Sequence, residues 1–189
     1  KILKPGERID DLLTHEMRII QSDEVFSFSL DAVLLARFCS VPKRGRILDL
    51  CTGNGVIPLL LATRSEAHIT GVEIQERLAD MAQRSVAMNG RESQIEIIRQ
   101  DLRQYQYEVR PGRFDLVTVN PPYLPLSIGE VNDNEAVAIA RFEVMCTMSE
   151  VIAASARLVK SGGKVAVVHR ASRLAELLSE LSKHRLEPK

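Results

Sequence analysis

The sequence has three cysteines, no excess of either charge, no long apolar run and no internal repeat. No stretch reaches the roughly 18 apolar residues a transmembrane helix needs. The longest, 56–63, is far too short, and the first residues lack the apolar core of a signal peptide. Cys39, Cys51 and Cys146 have neither metal nor disulfide spacing, and their odd number reads as reduced thiols of a cytoplasmic protein. His15, His68, His169 and His184 are scattered without ligand spacing, so no metal is expected. No Ser/His/Asp or Cys/His catalytic set is suggested either. Basic and acidic residues number 25 each, a balance that does not announce a nucleic-acid binder, although local patches can hide in a neutral total.

What is present is ordinary in bulk. The 189 residues are 45% hydrophobic and 26% charged, the composition of one soluble globular domain able to bury its own core. The chain begins at Lys1 without an initiator Met and stops at "RLEPK", which reads as part of a longer protein. Basic clusters occur at Lys1, Lys4 and Arg8, at Lys43-Arg44 with Arg46, and at Arg99, Arg103, Arg110 and Arg113. Most such clusters are solvated surface charge.

Periodicity gives an alternating order. Residues 7–16 and 29–40 read as helices, the second capped by Ser29 or its neighbour. Strands are predicted at 46–50, 68–73, 94–100, 114–120 and 164–170. Between them lie helices at 56–65, 75–89, 142–160 and 173–184, the third closed by Ser161-Gly162-Gly163. Pro58 sits in a tolerated first turn, and Leu78, Met81, Ala82 and Ser85 share one helix face. Such alternation implies an α/β fold, a doubly wound, mostly parallel sheet with right-handed crossovers. Ligands in that fold sit beyond the carboxyl ends of the strands.

Those strand ends are where the chemistry-bearing residues lie. After the first comes Asp49-Leu50-Cys51-Thr52-Gly53-Asn54-Gly55, whose glycines let backbone approach a ligand at a helix N-terminus. A dinucleotide fingerprint wants a third glycine where Pro58 stands, whereas D-x-x-x-G-x-G is the adenosylmethionine-type loop. The Asp49 carboxylate can meet the ligand's amino-acid end. After the second strand, Glu73 can accept both ribose hydroxyls and Ile74 can lie on an adenine face. After the third, Asp101 can accept from an adenine amino group, with Leu102 beside it. Each taken alone has a plainer reading: a tight turn, a solvated Glu at a helix start, a helix cap.

The fourth strand runs into Asn120-Pro121-Pro122-Tyr123. Two prolines cannot continue a strand in mid-sheet. An amide oxygen and a proline carbonyl can each accept one N–H of a planar amino group, aiming its lone pair, while the tyrosine ring stacks on the flat substrate. Positioning and electrostatics then do most of the catalysis. The plainer alternative is a Pro-rich turn ending an edge strand.

Together the acids, the glycine loop and N-P-P-Y resemble the class I S-adenosylmethionine-dependent methyltransferases. The most detailed resemblance is to the tRNA(Val) adenine-37 N6-methyltransferase family and its Gram-positive relatives. It rests on 18–38, 49–62, 71–82, 120–123 and 140–146 and covers roughly 8–187. It implies a Rossmann-like domain over 41–189 and an N-terminal extension over 1–40. The cofactor would be S-adenosyl-L-methionine and the partner RNA, with tRNA foremost. Phe28, Ser29 and Asp31 would lie near the cofactor's methionine end. By spacing, Leu30, Val33, Leu34 and Phe38 are the core face of the 29–40 helix. The family usually has a His where Phe142 stands, and continues past "LEPK" into two strands absent here. Arg141 is a candidate phosphate contact, or simply a surface residue at a helix entry. The loop 124–141, with one basic residue and no aromatic, could close over the substrate. An unpaired anticodon-loop adenine suits the chemistry. N-P-P-Y also serves guanine-N2 methylation of rRNA and glutamine methylation of release factors, and an adenosylmethionine-binding scaffold would keep the glycine loop without needing Asn120.

Overall fold

The computed structural model describes residues 2–25, 28–121 and 146–189. Its centre is a parallel sheet built from β3 (Arg46–Leu50), β4 (His68–Glu73), β5 (Ile95–Arg99), β6 (Phe114–Val119) and β7 (Val159–Val167). The order is β5-β4-β3-β6-β7. The chain therefore moves outward from β3 to β5, then returns to place β6 on the other side of β3. That reversal opens a crevice beyond the carboxyl ends of β3 and β6.

Alternation along the strands feeds two cores. Ile47, Ile69 and Leu116 pack with α1 (Leu30–Phe38), α2 (Val56–Ala62) and α3 (Glu76–Met88). Leu48, Leu50, Val117 and Val119 face the other way, toward α4 (Leu102–Glu108) and α5 (Met148–Leu158). Burial on both faces is why these strands read as near-continuous apolar runs. Met148 and Ile152 of α5 then carry Leu177 of α6 (Leu174–Lys183).

Residues 7–16, expected to be helical, are not. β1 (Glu7–Asp11) pairs antiparallel with β2 (Arg18–Ser22), opposing Ile9 to Ile20. The hairpin docks on α3 through a buried Ile20, Leu78 and Met81 cluster, and the Ile20 amide donates to Ser85 Oγ at 3.0 Å. Arg84 grips Glu7 with both terminal nitrogens at 2.7 Å, and these bonds hold the Glu7 carboxyl below its usual range. Tertiary partners override a local helical pattern.

Helix α1 forms as expected but turns its other face inward. Ala32, Leu35 and Ala36 are buried, whereas Leu30, Leu34 and Phe38 are exposed and Val33 only partly buried. Small residues let α1 approach α2 closely, and Arg64 fixes its end by donating to the carbonyls of Ala36 and Cys39. The last long helix begins later than predicted, at Met148, where Thr147 and Glu150 form a capping box. Residues 142–145 lie outside the described residues. It also ends earlier: β7 runs through Ser161-Gly162-Gly163, the stretch expected to stop the helix.

Candidate active site

The turn after β3 is tight because Cys51, Gly53 and Gly55 take φ of 58°, 57° and 88°. At Gly55, the N-cap of α2, a Cβ would stand 3.1 Å from Ala82 Cβ. At Gly53 a Cβ would meet nothing within 4 Å, so the loop backbone faces open space there. Among the bonds that anchor the loop, the Thr52 amide donates to Val72 O at 3.0 Å, and Asn54 Nδ2 to Ile20 O at 3.1 Å. Asn54 thus ties the loop to the N-terminal hairpin.

Asp49, expected at the ligand's amino-acid end, lies wholly inside the protein. Its Oδ2 accepts from Thr52 Oγ1 at 2.5 Å and its Oδ1 from Thr118 Oγ1 at 2.6 Å. Register explains the meeting, since Asp49 stands between Gly71 on β4 and Thr118 on β6. Gly71 leaves room for this knot: a Cβ there would come 2.9 Å from both Thr52 Oγ1 and Ile97 Cδ1. Gly71→Ala is expected to cost about 1–3 kcal/mol, read as a lower urea midpoint with an unchanged slope.

Burial pushes the Asp49 carboxyl up to about 7, against the two threonine hydroxyls that favour its charged form. A raised native value means that the folded protein holds a proton the unfolded chain has already released. The stability this contributes is full below the ordinary aspartate value of 3.8 and is lost as pH rises through about 7. The limiting slope is about −1.4 kcal/mol per pH unit between them. Asp49→Asn removes that slope, so wild-type stability should fall relative to the variant from pH 5 to 7 and run parallel above pH 7.5, as checked by urea unfolding.

Beyond the ends of β4 and β5 a pocket is lined by Cys51, Val72, Glu73, Ile74, Gln100, Asp101, Leu102 and Cys146. Glu73 is 2% exposed and spans the site: Oε2 accepts from the Gly53 amide at 2.9 Å and Oε1 from the Gln75 amide at 2.8 Å. Burial raises its carboxyl above the ordinary value, and backbone amides oppose that shift. Asp101 caps α4, accepting from the Arg103 amide at 2.9 Å, and also pairs with the Arg103 guanidinium at 2.6 Å. Those bonds hold its carboxyl low. Cys51 Sγ lies 3.8 Å from Cys146 Sγ, and that neighbour together with burial pushes the Cys51 thiol well up, keeping it protonated at neutral pH.

Five of the residues expected to bind the cofactor therefore line one pocket: Cys51, Glu73, Ile74, Asp101 and Leu102. Thr52 and Asn54 are buried behind it, engaged with Asp49 and Ile20. Phe28, Ser29 and Asp31 stand at the N-terminus of α1 and do not line it; Phe28 packs on the α1–α2 core and Ser29 is the N-cap without a side-chain cap bond. Asn120 follows Val119, which pairs with Leu50 immediately before Cys51, so the N-P-P-Y start lies one strand from the glycine loop. Pro121 is buried; Pro122, Tyr123 and the 124–141 loop lie outside the described residues. Sequence reasoning missed Val72, Gln100 and Cys146. The first two adjoin predicted strand-end acids, a signal that was available, whereas nothing local marks Cys146.

A family model described as "Methyltransferase small domain" matches residues 16–185. The chain belongs to the methyltransferase small domain family. Among relatives of this methyltransferase small domain, the tRNA1(Val) (adenine(37)-N6)-methyltransferase of Bacteroides thetaiotaomicron is 35% identical over 73% of this chain and 57% of its own. The protein of the same description from Aeromonas salmonicida is 32% identical over 78% and 61%. The chain thus spans less than two thirds of the length of these relatives. In fold it is similar to a precorrin-6y C5,15-methyltransferase from Geobacter metallireducens, with TM-score 0.63 and 10% identity over 87% of this chain and 76% of that one. The doubly wound parallel sheet is the class I methyltransferase fold.

Proposed function

We propose that this methyltransferase small domain is the catalytic part of an S-adenosylmethionine-dependent enzyme that methylates N6 of an unpaired adenine in tRNA. The observation that carries the reading is the placing of Asn120-Pro121 at the carboxyl end of β6, beside the glycine loop of β3. The pocket residues fit such a cofactor. Glu73 is a buried acceptor suited to ribose hydroxyls, Ile74 and Leu102 are apolar walls for a flat base, and Asp101 is an ionised acceptor suited to an amino group. The open space at Gly53 admits a ligand against backbone. Bound there, the cofactor supplies a methyl group on a cationic sulfur.

The chain's own residues do the rest. Asp49 keeps the loop in shape through Thr52 and Thr118. Phe28, Ser29 and Asp31 serve the methionine end, and residues 1–40 act as an extension of the catalytic unit 41–189. The Asn120 amide oxygen and the Pro121 carbonyl accept the two N–H groups of the substrate, the prolines bring no competing donor, and Tyr123 stacks on the base. No metal enters this scheme. Among the described residues no helix is long and apolar enough to cross a membrane, in keeping with a cytoplasmic enzyme that meets tRNA. The test is incubation of the full-length protein with labelled adenosylmethionine and bulk tRNA from a strain lacking the gene. N6-methyladenosine in the digest is expected; label in a release factor and none in RNA would overturn the assignment.

A further inference from the structure

We propose that a basic groove at the amino ends of β3, β4 and β5, on the edge opposite the glycine loop, grips backbone phosphates of the RNA; this rests on the tRNA reading above. The groove has a volume of about 1000 Å³, and Lys43, Arg44, Arg64, His68 and Arg91 line it against a single carboxylate, Glu66. Parallel register brings their three loops to one edge: Arg46 is opposite His68, and Ile69 is opposite Ile95.

The cations stand on a braced frame. Ser65 Oγ donates to Pro42 O at 2.5 Å, and Gln94 Nε2 donates to the carbonyls of Ser65 and Ala67 at 2.6 and 3.1 Å. Arg64 spends its hydrogen bonds on backbone carbonyls, which leave its charge uncompensated. Among the described residues Lys43, Arg64 and Arg91 make no ion pair; Arg44 meets Glu66 at 3.0 Å, but the two side chains are 84% and 75% exposed, so a phosphate can replace that partner.

The distribution of charge explains why a second grip is needed. The chain is neutral overall, and at the cofactor edge the pocket is lined by the carboxylates of Glu73 and Asp101, with the nearby Arg103 already engaged by Asp101. Phosphate contacts supply most of the affinity of nucleic-acid binding. The opposite edge supplies the cations, separated from the reacting base by the length of a five-residue strand, about 17 Å. That span is modest beside the roughly 16 base pairs one double-stranded RNA-binding module covers.

The experiment is fluorescence anisotropy of labelled tRNA with the full-length protein across a salt series. It compares wild type with Lys43→Glu/Arg91→Glu and with the milder Lys43→Gln/Arg91→Gln, whose neutral side chains avoid new repulsion within the fold. Roughly tenfold or greater weakening is expected, with the slope of log K against log salt reduced by about 1 per lost phosphate contact. Stabilisation by adenosylhomocysteine should be unchanged. Wild-type affinity and slope in both variants would overturn the groove while leaving the adenine assignment standing. Weakened binding by variants of a wild type that binds but does not methylate tRNA would support the groove and remove the adenine assignment. A wild type with no tRNA affinity would end both, and full affinity only for an acidic protein would assign the groove to a different partner.

Discussion

Asn120→Ala should abolish methyl transfer and leave cofactor binding intact. The lone pair of an exocyclic adenine nitrogen is delocalised into the ring, so the nitrogen attacks only when its N–H groups are drawn out of plane and its lone pair is aimed. In the proposed site two acceptors do this, and the strand that carries them is fixed. Val119 pairs with Leu50 on one side and Val167 on the other, and its carbonyl accepts from the Val168 amide at 3.1 Å. Truncating Asn120 leaves one of the two proposed acceptors, the Pro121 carbonyl, on the same strand end. Loss of one preorganised polar group at a reacting centre costs roughly 10²–10³ in turnover, and a nucleophile this weak places the effect at or above the upper end. Single-turnover rates with tRNA and the melting shift produced by adenosylhomocysteine should be measured together. A normal shift with collapsed turnover is expected. Turnover near the wild-type rate would remove Asn120 from the chemistry.

The central strands are legible because they are buried on both faces, so Ile47 to Leu50 and Leu116 to Val119 read as apolar runs broken only by Asp49 and Thr118, themselves buried. The glycine loop was legible because positive φ at Gly53 and Gly55 leaves a mark in composition. Glu73 and Asp101 were legible because parallel strands deliver their carboxyl ends to one edge. What stayed hidden depends on partners distant in sequence. The hairpin over 7–22 exists because Ile20, Ser85 and Arg84 hold it, and none of these lies in its first strand. On α1, two interleaved apolar sets compete, and the choice between them is made by packing on α2 and by Arg64. Burial of Asp49 depends on Thr118, 69 residues away, which bonds its second oxygen. Helix α4 leaves little trace in the sequence because seven residues carry little periodicity, although Asp101 reads as a cap. The basic groove was visible only as scattered charge, since Lys43, Arg64 and Arg91 meet through sheet register alone.

Glu73→Ala should cost both stability and the cofactor, and the two losses separate by measurement. The carboxylate is buried and closes the distance between the end of β4 and the glycine loop, accepting from the amides of Gly53 and Gln75. Without it those donors lose their partners and Gly53 loses its tether to β4. Unsatisfied donors of this kind cost about 1–3 kcal/mol each when water cannot reach them. Both residues are only partly buried, which places the total at about 2–3 kcal/mol by the same reasoning. The second loss is the ligand's own contribution, about 2.7 kcal/mol for wild type at 100 times Kd. Glu73→Gln separates them, since it keeps the volume and one oxygen acceptor for Gly53 or Gln75 while turning an amide NH₂ toward the other. That variant should unfold between wild type and Glu73→Ala in urea, and its shift with adenosylhomocysteine should be small. If Glu73→Ala instead melts lower but keeps the full adenosylhomocysteine shift, the carboxylate braces the loop and the ribose is held by other groups.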